Sequence, residues 1–477
     1  MTTRKDSDLL GEMDIPDGLY YGIHTTRAAR LGDISQDKLN MHPEVLEAMA
    51  DVKACCAKAN VAIGALETAK GAAITQACDE IKAGRFNDQF PVDMFAGGGA
   101  IAINMNVNEV IANRANEILT GKKGYSQVHP NTHVNMCQST NDVVPSAMKI
   151  AVYRETLKML GSVKLLEDTF EKKADEFGDT VKLGRTCLND ALPITFRQEF
   201  SGYSSGIRRQ RLRIEAAMKD WLTLTLGGTA VGTGVSTLPG YEEAVYKELR
   251  ENVDPSIRME DNLFDGMQNA DGYLYLSGLV KCLAVVIGKI CYDLKLLGSG
   301  PKAGFSEIVL PAVLAGSSIM PGKVNPTLPE MMIQVTQEVC GNDATITMAV
   351  EKGELDLNIA EQILLKSMLD SVHHITKALP LLANECVAGI TINSDKTRLE
   401  AEKTTALVTM VSVIHGYKTA LKIALGAVEH DIPVKEAAIK TGQFTKEQAD
   451  EFFDPLLLTD VKRMHALLKK YAALRDI

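Results

Sequence analysis

Six long windows of the sequence carry apolar residues at intervals of three and four, the spacing that places them on one face of an α-helix. These windows are 145–177, 197–225, 240–252, 271–297, 328–350 and 356–392. Helices of this length are typical of bundles rather than of small mixed domains. The sequence therefore predicts a mainly α protein with a central bundle of long helices.

The predicted helices divide the chain into three parts. We expect an N-terminal helical domain over 1–139, the central helical bundle over 140–395, and a small C-terminal helical domain over 396–477. The length of 477 residues exceeds that of a typical single domain, so several structural units are expected on length alone.

Charge and hydropathy exclude several classes of partner. The formal net charge of −10 argues against nucleic acid, because nucleic-acid affinity depends on clustered Lys and Arg. The charged N-terminus lacks the apolar core of a secretory signal. The most apolar stretch, 273–297, is interrupted by four charged residues and predicts a core helix rather than a membrane span. We expect a cytoplasmic protein with neither a membrane nor a nucleic-acid partner.

The nine cysteines show neither a CxxC pair nor a metal-ligand spacing, which indicates reduced thiols rather than disulfides or a metal site. His373 and His374 are adjacent within a predicted helix and face different directions, so they do not predict a metal pair. His133 is expected to be a hydrogen-bonded structural histidine.

Glycine-rich polar joints separate the predicted helices, at 97–99, 137–142, 184–190, 227–234, 298–304 and 315–326. Loops on a rigid scaffold often carry chemistry, so several such joints indicate a composite site. None of the joints matches GxGxxG or GxxxxGK[ST], and the sequence predicts no nucleotide or other cofactor.

The joint from Gly316 to Pro326 reads GSSIMPGKVNP and is the most informative. Lys323 supplies a point charge for an anion, and Asn325 can donate and accept hydrogen bonds. A serine that is ionised beside such a charge can act as a base. Taken alone, the SSxxxxK spacing is more typical of an ordinary polar loop than of a catalytic one.

The whole segment resembles the GSSxMPxKxN loop of the aspartase/fumarase superfamily. Further similarities occur in the family's order along the chain, at 20–27, 104–109, 139–142, 184–186, 190–191, 198–200, 227–234, 299–301, 306–311 and 354–358. They cover nearly the whole chain from about residue 17 onwards. The amino-acid sequence is most similar to the aspartate ammonia-lyase branch at 20–23, 138–142 and 316–326.

The resemblance implies a lyase of mainly α fold that needs no cofactor and eliminates ammonia or an amine from a small anionic amino-acid-like substrate. It implies that Ser317 is the general base on a mobile loop. It also implies substrate binding by Lys323, Asn325, Ser318, Ser139, Thr140, Asn141 and Thr186. A homotetramer is expected, in which three subunits contribute to each site.

Two positions depart from the family pattern. Ile101 stands where aspartases and fumarases usually have a threonine, and Cys187 stands where they usually have a histidine. Both belong to the expected substrate site. Loss of two polar contacts there suggests an electron sink other than a carboxylate, or a bulkier and more apolar leaving group than ammonia. A nucleophilic role for Cys187 is not favoured, because the reaction needs no covalent intermediate.

Four hypotheses follow from the sequence. The default is elimination of ammonia from aspartate to give fumarate, and the principal alternative is elimination of trimethylamine from ergothioneine to give thiourocanate. Hydration of fumarate is a third enzyme hypothesis. A catalytically retired scaffold is the non-enzyme hypothesis, which retention of Ser317, Lys323, Asn325 and Asn141 disfavours.

Overall fold

The computed structural model of the chain describes residues 2–475 and is mainly helical, as the periodicity predicts. The first eight helices are α1 Ile23–Leu31, α2 Pro43–Ala62, α3 Thr68–Lys82, α4 Ile101–Thr120, α5 Thr140–Phe177, α6 Phe196–Met218, α7 Tyr241–Asn252 and α8 Leu263–Gln268. The others are α9 Asp271–Leu297, α10 Thr327–Glu351, α11 Glu361–Leu381, α12 Ser394–Lys403, α13 Thr409–Glu429, α14 Val434–Lys440, α15 Lys446–Phe452 and α16 Val461–Lys470.

The strands are short and form four two-stranded pairs among the described residues. They are β1 Thr3–Asp8, β2 Gly11–Pro16, β3 Val181–Thr186, β4 Asn189–Thr195, β5 Thr223–Leu224, β6 Arg258–Met259, β7 Ile308–Val309 and β8 Thr391–Ile392. Strands β1 and β2, β3 and β4, and β7 and β8 pair antiparallel, whereas β5 and β6 are parallel.

The long predicted helices are found as α5, α6, α7, α9, α10 and α11. Two of them are shorter than their windows. Helix α6 ends at Met218 because the chain then enters β5 and pairs with β6. Helix α11 begins at Glu361 because Glu354 and Leu357 form a small antiparallel bridge. Periodicity continues into β5 because Leu222 and Leu224 are buried there as well.

The described residues form two compact units, and neither is contiguous in sequence. The first comprises residues up to 161, 212–282 and 337–376, and the second comprises 162–211, 283–336 and the residues from 377 onwards. Helices α5, α6, α9, α10 and α11 each contribute residues to both units. The three sequence-based domains, with boundaries at 139 and 395, stay a prediction.

In the first unit, buried polar side chains connect the long helices. Asp343 on α10 accepts hydrogen bonds from Ser277 (2.8 Å) and Lys281, both on α9. Asn342 donates to Ser371 on α11 at 3.1 Å. These bonds fix the rotation of the three helices about their axes, because each side chain reaches only one face of its neighbour.

In the second unit, charged pairs lie between α5, α6 and α9. The carboxylate of Glu167 on α5 is only 2% exposed and accepts from Arg208 (2.8 Å) and Arg211 (2.7 Å) on α6. Tyr203 on α6 donates to Asp293 on α9 at 3.0 Å. A buried carboxylate needs such partners, since an unpaired buried charge is strongly destabilising.

The C-terminal part of the second unit is helical, and its residues up to 475 are described. Helices α13 to α16 surround a common apolar cluster that includes Met410, Ile414, Phe444, Phe452 and Leu467. A turn at 430–433 separates α13 from α14. This part of the chain has its own core.

Helix α9 contains the apolar stretch whose membrane role the sequence disfavours. Among the described helices it alone has the length and apolar composition that a span would need, and 50% of its most apolar window is buried inside the protein. Val285, Tyr292 and Leu296 lie on its other face and are 50%, 51% and 41% exposed. These three positions follow an i, i+7, i+11 spacing, so they form one apolar stripe.

Candidate active site

The joint at 139–142 begins α5 with a reciprocal cap. The N–H of Ser139 donates to Asp142 Oδ1 at 2.8 Å, and Ser139 Oγ accepts from the N–H of Asn141 at 3.3 Å. This arrangement satisfies N–H groups that a helix start leaves unpaired. It explains why α5 begins at Thr140, five residues before the predicted window, even though Pro145 lies inside the helix. Thr140 and Asn141 therefore occupy its first turn.

The second oxygen of Asp142 holds the glycine-rich joint 227–234 against the start of α5. It accepts from the N–H groups of Gly227 and Thr229, both at 3.0 Å. Burial raises the pKa of Asp142 to about 6, although these N–H donors act in the opposite direction. Asn141 Nδ2 donates to the carbonyl of Ala230 at 2.8 Å and closes the same contact.

Lys53 on α2 is a fully buried lysine beneath this joint. Its Nζ donates to the amide oxygens of Asn104 (2.8 Å), Asn135 (2.9 Å) and Gln138 (2.8 Å). Asn104 in turn donates from Nδ2 to Thr140 Oγ1 at 2.9 Å. The lysine thereby fixes the orientation of the Asn104 amide, and this amide donates to Thr140 Oγ1. Because Thr140 Oγ1 acts as an acceptor in this bond, its hydroxyl proton can be donated to another group.

Burial lowers the pKa of Lys53 to about 7, well below its usual value of 10.5. Folded Lys53 is therefore largely neutral above pH 7, whereas the unfolded chain protonates it up to about pH 10. Unfolding takes up a proton in that window, so the contribution of Lys53 to stability rises with pH.

We expect the free energy of unfolding of the wild type to gain about 2 kcal/mol relative to Lys53→Met between pH 7 and pH 9. Urea titrations at a series of pH values measure this difference. Lys58→Met is the matched control, because Lys58 lies on the same helix and binds Asn252 at the surface. A wild-type advantage that stays constant with pH would contradict the assignment.

A cavity of about 480 Å³ opens over these residues. Its wall includes Ser139, Thr140, Ile101, Asn104 and Asn135. Ile101 is the first residue of α4 and follows Ala100, which has a left-handed backbone with φ of 60°. The volume lies in the range of small-molecule sites, and the wall combines hydroxyl and amide groups with apolar side chains that include Ile101 and Val235.

The predicted catalytic loop, 316–325, belongs to the second unit and is closed at its neck. The N–H of Gly316 donates to the carbonyl of Lys323 at 2.9 Å, and Asn325 Nδ2 donates to the carbonyl of Gly316 at 2.8 Å. A Cβ at Gly316 would meet the Lys323 carbonyl oxygen at 2.5 Å, so only glycine fits at this crossing. Lys323 Nζ donates to Asn325 Oδ1 at 2.7 Å.

Ser317 follows the neck, and its side-chain oxygen faces two backbone donors. Ser317 Oγ accepts from the N–H of Met320 at 2.9 Å and from that of Ile319 at 3.3 Å. Backbone N–H groups aimed at a hydroxyl oxygen stabilise it when it loses its proton. Ser318 and Lys323 are exposed, and so is the apolar side chain of Ile319 at 83%. The loop thus presents its polar groups and an apolar tip to the outside of its own unit.

Thr186 and Cys187, also in the second unit, lie at the tip of the β3–β4 hairpin. The two loop residues, Cys187 and Leu188, both have positive φ, at 53° and 59°. That turn matches the twist of antiparallel strands but is strained for residues with a side chain. Strain of this kind is often found at functional sites. Thr186 and Cys187 are exposed there, and Cys187 is a free thiol.

A buried carboxylate at the base of this hairpin fixes its strands. Glu307 is fully buried and pairs with Lys182 at 3.0 Å and closely with Arg185. Lys182 also pairs with Glu199 on α6 at 2.9 Å. Burial raises the pKa of Glu199, and the Lys182 ammonium opposes that shift. Because these buried charged side chains pair with one another, the strands of the hairpin are held rigidly and fix the position of its tip.

The predicted site residues therefore fall into two groups within the described chain. Ser139, Thr140 and Ile101 line one cavity of the first unit, with Asn141 beside them. The second unit carries the other six predicted site residues, which are Thr186, Cys187, Ser317, Ser318, Lys323 and Asn325.

Lys53 and the Asn104 amide that it orients are functional candidates that the sequence analysis missed. The available signal was the position of Lys53 in α2, where it is followed by four small apolar residues, ACCA. His133 Nδ1 accepts from the N–H of His129 at 2.8 Å, as expected for a hydrogen-bonded structural histidine.

Two family models match the chain. Residues 11–341 match the model described as "Lyase", and residues 407–460 match the model described as "Fumarase C C-terminus". The first match alone covers more than half of the chain.

Curated relatives and solved structures agree with these models. An aspartate ammonia-lyase of Bacillus sp is 41% identical over 457 residues, covering 96% of this chain and 97% of the relative. The aspartate ammonia-lyase of Escherichia coli K12 is 40% identical and covers 94% of this chain and 95% of the relative.

Two solved structures share the fold. A fumarate lyase:delta crystallin from Brucella melitensis, bound to cobalt, matches with a TM-score of 0.94 and 40% identity over 96% of this chain and 100% of that chain. A class II fumarase from Schistosoma mansoni matches with a TM-score of 0.92 and 32% identity over 96% of this chain and 99% of that chain. The chain therefore belongs to the aspartase/fumarase superfamily, and it is an ammonia-lyase.

Proposed function

We propose that this enzyme is an aspartate ammonia-lyase that converts aspartate to fumarate and ammonia in the cytoplasm. The observation that carries the proposal is the geometry of the loop 316–325. In this loop the hydroxyl oxygen of Ser317 accepts hydrogen bonds from two backbone N–H groups, and Lys323 is exposed a few residues later. The names of the relatives support aspartate as the substrate.

Ser317 is the general base in this proposal. The N–H groups of Ile319 and Met320 stabilise its oxygen after ionisation, and the charged oxygen then removes a proton from C3 of aspartate. The electron pair of the broken C–H bond passes into the neighbouring carboxylate as an enediolate. When this electron pair returns to the carbon chain, it forms the C=C bond of fumarate, the C2–N bond breaks, and the nitrogen leaves as ammonia.

The remaining site residues hold the two carboxylates and the amino group. Lys323 and Asn325 bind one carboxylate through an ammonium and an amide N–H. The hydroxyls of Ser139 and Thr140 donate to the other, which becomes the enediolate. Donors aimed at developing charge typically contribute about 2.7–4 kcal/mol each. Asn141, Thr186 and Ser318 add polar contacts, whereas Ile101 and Cys187 form the less polar part of the wall.

We also propose a homotetramer in which three subunits supply each site. The apolar stripe of α9, formed by Val285, Tyr292 and Leu296, supports this assembly because exposed apolar stripes on long helices are typical of subunit contacts. The loop 316–325 and the hairpin tip at 186–187 then meet the 139–141 joint of other copies. A monomer would be inactive.

Acidic residues on this stripe should dissociate the assembly. We expect Val285→Glu combined with Tyr292→Glu to give a smaller particle without measurable turnover, because two buried carboxylates would lack partners at the contact. Light scattering after size exclusion measures the mass, and an activity assay follows the same fractions. Tyr417→Glu is the control, since Tyr417 is a 73% exposed aromatic on α13. A double variant that keeps the wild-type mass would refute the stripe as a contact.

Ile101 and Cys187 favour a second candidate function, the elimination of trimethylamine from ergothioneine. An apolar wall at Ile101 suits a thioimidazole ring or a methylated amine better than it suits a carboxylate. The comparisons favour the ammonia-lyase instead.

An absorbance assay separates the candidates. The enzyme is incubated with aspartate, with ergothioneine and with fumarate alone, and ultraviolet absorbance is followed. Formation of fumarate from aspartate supports the proposal, and its absence at high enzyme concentration rejects it. A conjugated product from ergothioneine would establish the second candidate, and consumption of fumarate alone would indicate a hydratase.

A further inference from the structure

Another cavity of the first unit has a volume of about 450 Å³. Its wall comes from α5, α8, α9 and α11 and from the loops next to them. It shares no lining residue with the cavity at Ser139 and Thr140. The volume suits a small organic molecule, and a single ion would fill only a small part of it.

The wall of this cavity is acidic. Six of its lining side chains carry carboxyl groups, whereas two, Lys149 and Arg258, carry basic groups. Both basic groups already have partners. Arg258 pairs with Asp220 at 3.0 Å, and Lys149 Nζ donates to the carbonyl of Thr223 at 2.6 Å. Burial lowers the pKa of Lys149, and two nearby carboxylates oppose that shift. The balance of charge on the wall therefore favours a cation as the ligand.

Two buried groups of the same wall lack partners. Glu361 and Tyr273 are each only 4% exposed. Neither Glu361 Oε2 nor the Tyr273 hydroxyl has a hydrogen-bond partner among the residues that the structure describes. Burial raises the pKa of Glu361 well above its usual range, and a cation beside it would reverse that shift. An ammonium group carries the N–H donors that both oxygens lack.

The acidic side chains differ in depth. Asp261 and Asp265 are exposed, whereas Glu361 is buried, so the cavity runs from an acidic entrance to a buried carboxyl group. Met267 and Leu364, which are 4% and 1% exposed, add apolar surface to the wall. A methylene chain that covers such surface gains affinity in proportion to the apolar area removed from water.

We propose that this cavity binds a linear aliphatic diamine, with one ammonium group at Glu361 and Tyr273 and the other at the acidic entrance. An amino acid fits the wall less well, because its carboxylate would lie among carboxyl groups while both basic groups are already paired. The site is separate from the predicted catalytic residues, so it does not depend on which substrate the enzyme acts on.

The single tryptophan of the chain reports on this cavity. The Trp221 ring lies 5.1 Å from the Tyr273 ring, in an edge-to-face contact. Titration of the assembled enzyme with 1,4-diaminobutane at constant ionic strength should therefore change the tryptophan fluorescence to saturation. Butylamine lacks the second ammonium group and should bind about 1.5- to 5-fold more weakly, the range of an exposed ion pair. 4-Aminobutanoate, which has a carboxylate in its place, should bind more weakly than butylamine.

Two variants remove the buried partners. Glu361→Gln keeps the size of the side chain and should weaken binding of 1,4-diaminobutane roughly 10- to 150-fold, because the charged acceptor is lost. Tyr273→Phe should weaken it about 2- to 10-fold, and calorimetric titration measures this variant, since its tryptophan has a changed neighbour. Glu351→Gln and Tyr275→Phe are the matched controls, because both side chains are exposed in the same unit and lie outside the cavity wall.

The outcomes decide the inference without reference to turnover. Saturable binding that weakens in Glu361→Gln and Tyr273→Phe, but not in their controls, supports it, and succinate should leave the titration unchanged. If Glu361→Gln loses the wild-type molecular mass, Tyr273→Phe alone decides. Absence of binding, equal affinity in these variants and the wild type, or displacement by succinate would overturn it. Tighter binding of 4-aminobutanoate or of Mg²⁺ than of the diamine would overturn it too. Fumarate formation from aspartate is measured separately, so the proposed function stands or falls on its own assay.

Discussion

Ser317→Ala should lower kcat for aspartate by about 10²–10⁴, the usual contribution of a positioned general base. Alanine removes the oxygen that accepts from the N–H groups of Ile319 and Met320, and with it the atom that takes the proton from C3. The KM for aspartate should change little, because Lys323 and Asn325 still bind the carboxylate. Fumarate formation under saturating aspartate measures the effect.

Two controls separate loss of the base from loss of the loop. Ser318→Ala removes the neighbouring exposed hydroxyl and should reduce kcat by a much smaller factor. Thermal unfolding of Ser317→Ala should match that of the wild type, since Ser317 lies on an outer loop whose neck is closed by Gly316 and Asn325. If Ser317→Ala turned aspartate over at the wild-type rate, another group would be the base.

Lys323→Met should lower kcat/KM for aspartate by roughly 10- to 150-fold, because a hydrogen bond to a charged group contributes about 1.5–3 kcal/mol. Methionine keeps the length of the side chain but removes the ammonium. Asn325 stays in place through its bond to the Gly316 carbonyl, so the loss is confined to the charge. Inhibition by succinate, which carries both carboxylates but no amino group, should weaken by a similar factor.

Lys302→Met is the matched control for Lys323→Met, because Lys302 is an exposed lysine of another loop in the same unit. Its removal changes the net charge equally and should leave kcat/KM unchanged. An equal loss in both variants would mean that overall charge, rather than binding at Lys323, attracts the substrate.

The fold could largely be predicted from the sequence, because helical periodicity is strongest in long helices. Helices α9 and α10 differ from their windows by a residue at most. The ends were less predictable where local pairing replaced the helix, as at Met218, where β5 follows. The start of α5 could have been predicted from the Ser139 to Asp142 spacing, which is a capping pair.

The candidate site could be proposed from the sequence where one segment carries several polar groups, as in 316–325, and less so where the groups are far apart in sequence. Lys53 meets Asn104, Asn135 and Gln138 only after α2, α4 and the 130–138 segment have packed together. The cavity lined by Ala28 and Phe95 depends on similar long-range packing, since these residues come from separate segments. No short sequence pattern predicts contacts between residues that lie so far apart in the chain.

The proposed elimination depends most on the delivery of the Ser317 hydroxyl to the carbon that loses its proton. The most direct measurement is the distance between Ser317 Oγ and the nearest methylene carbon of succinate in a structure of the assembled enzyme with that unreactive substrate analogue. We expect about 3–3.5 Å, the separation from which a proton can be transferred. A bound succinate near Ser139 and Thr140 that no copy of Ser317 approaches would contradict the role of Ser317 as the base.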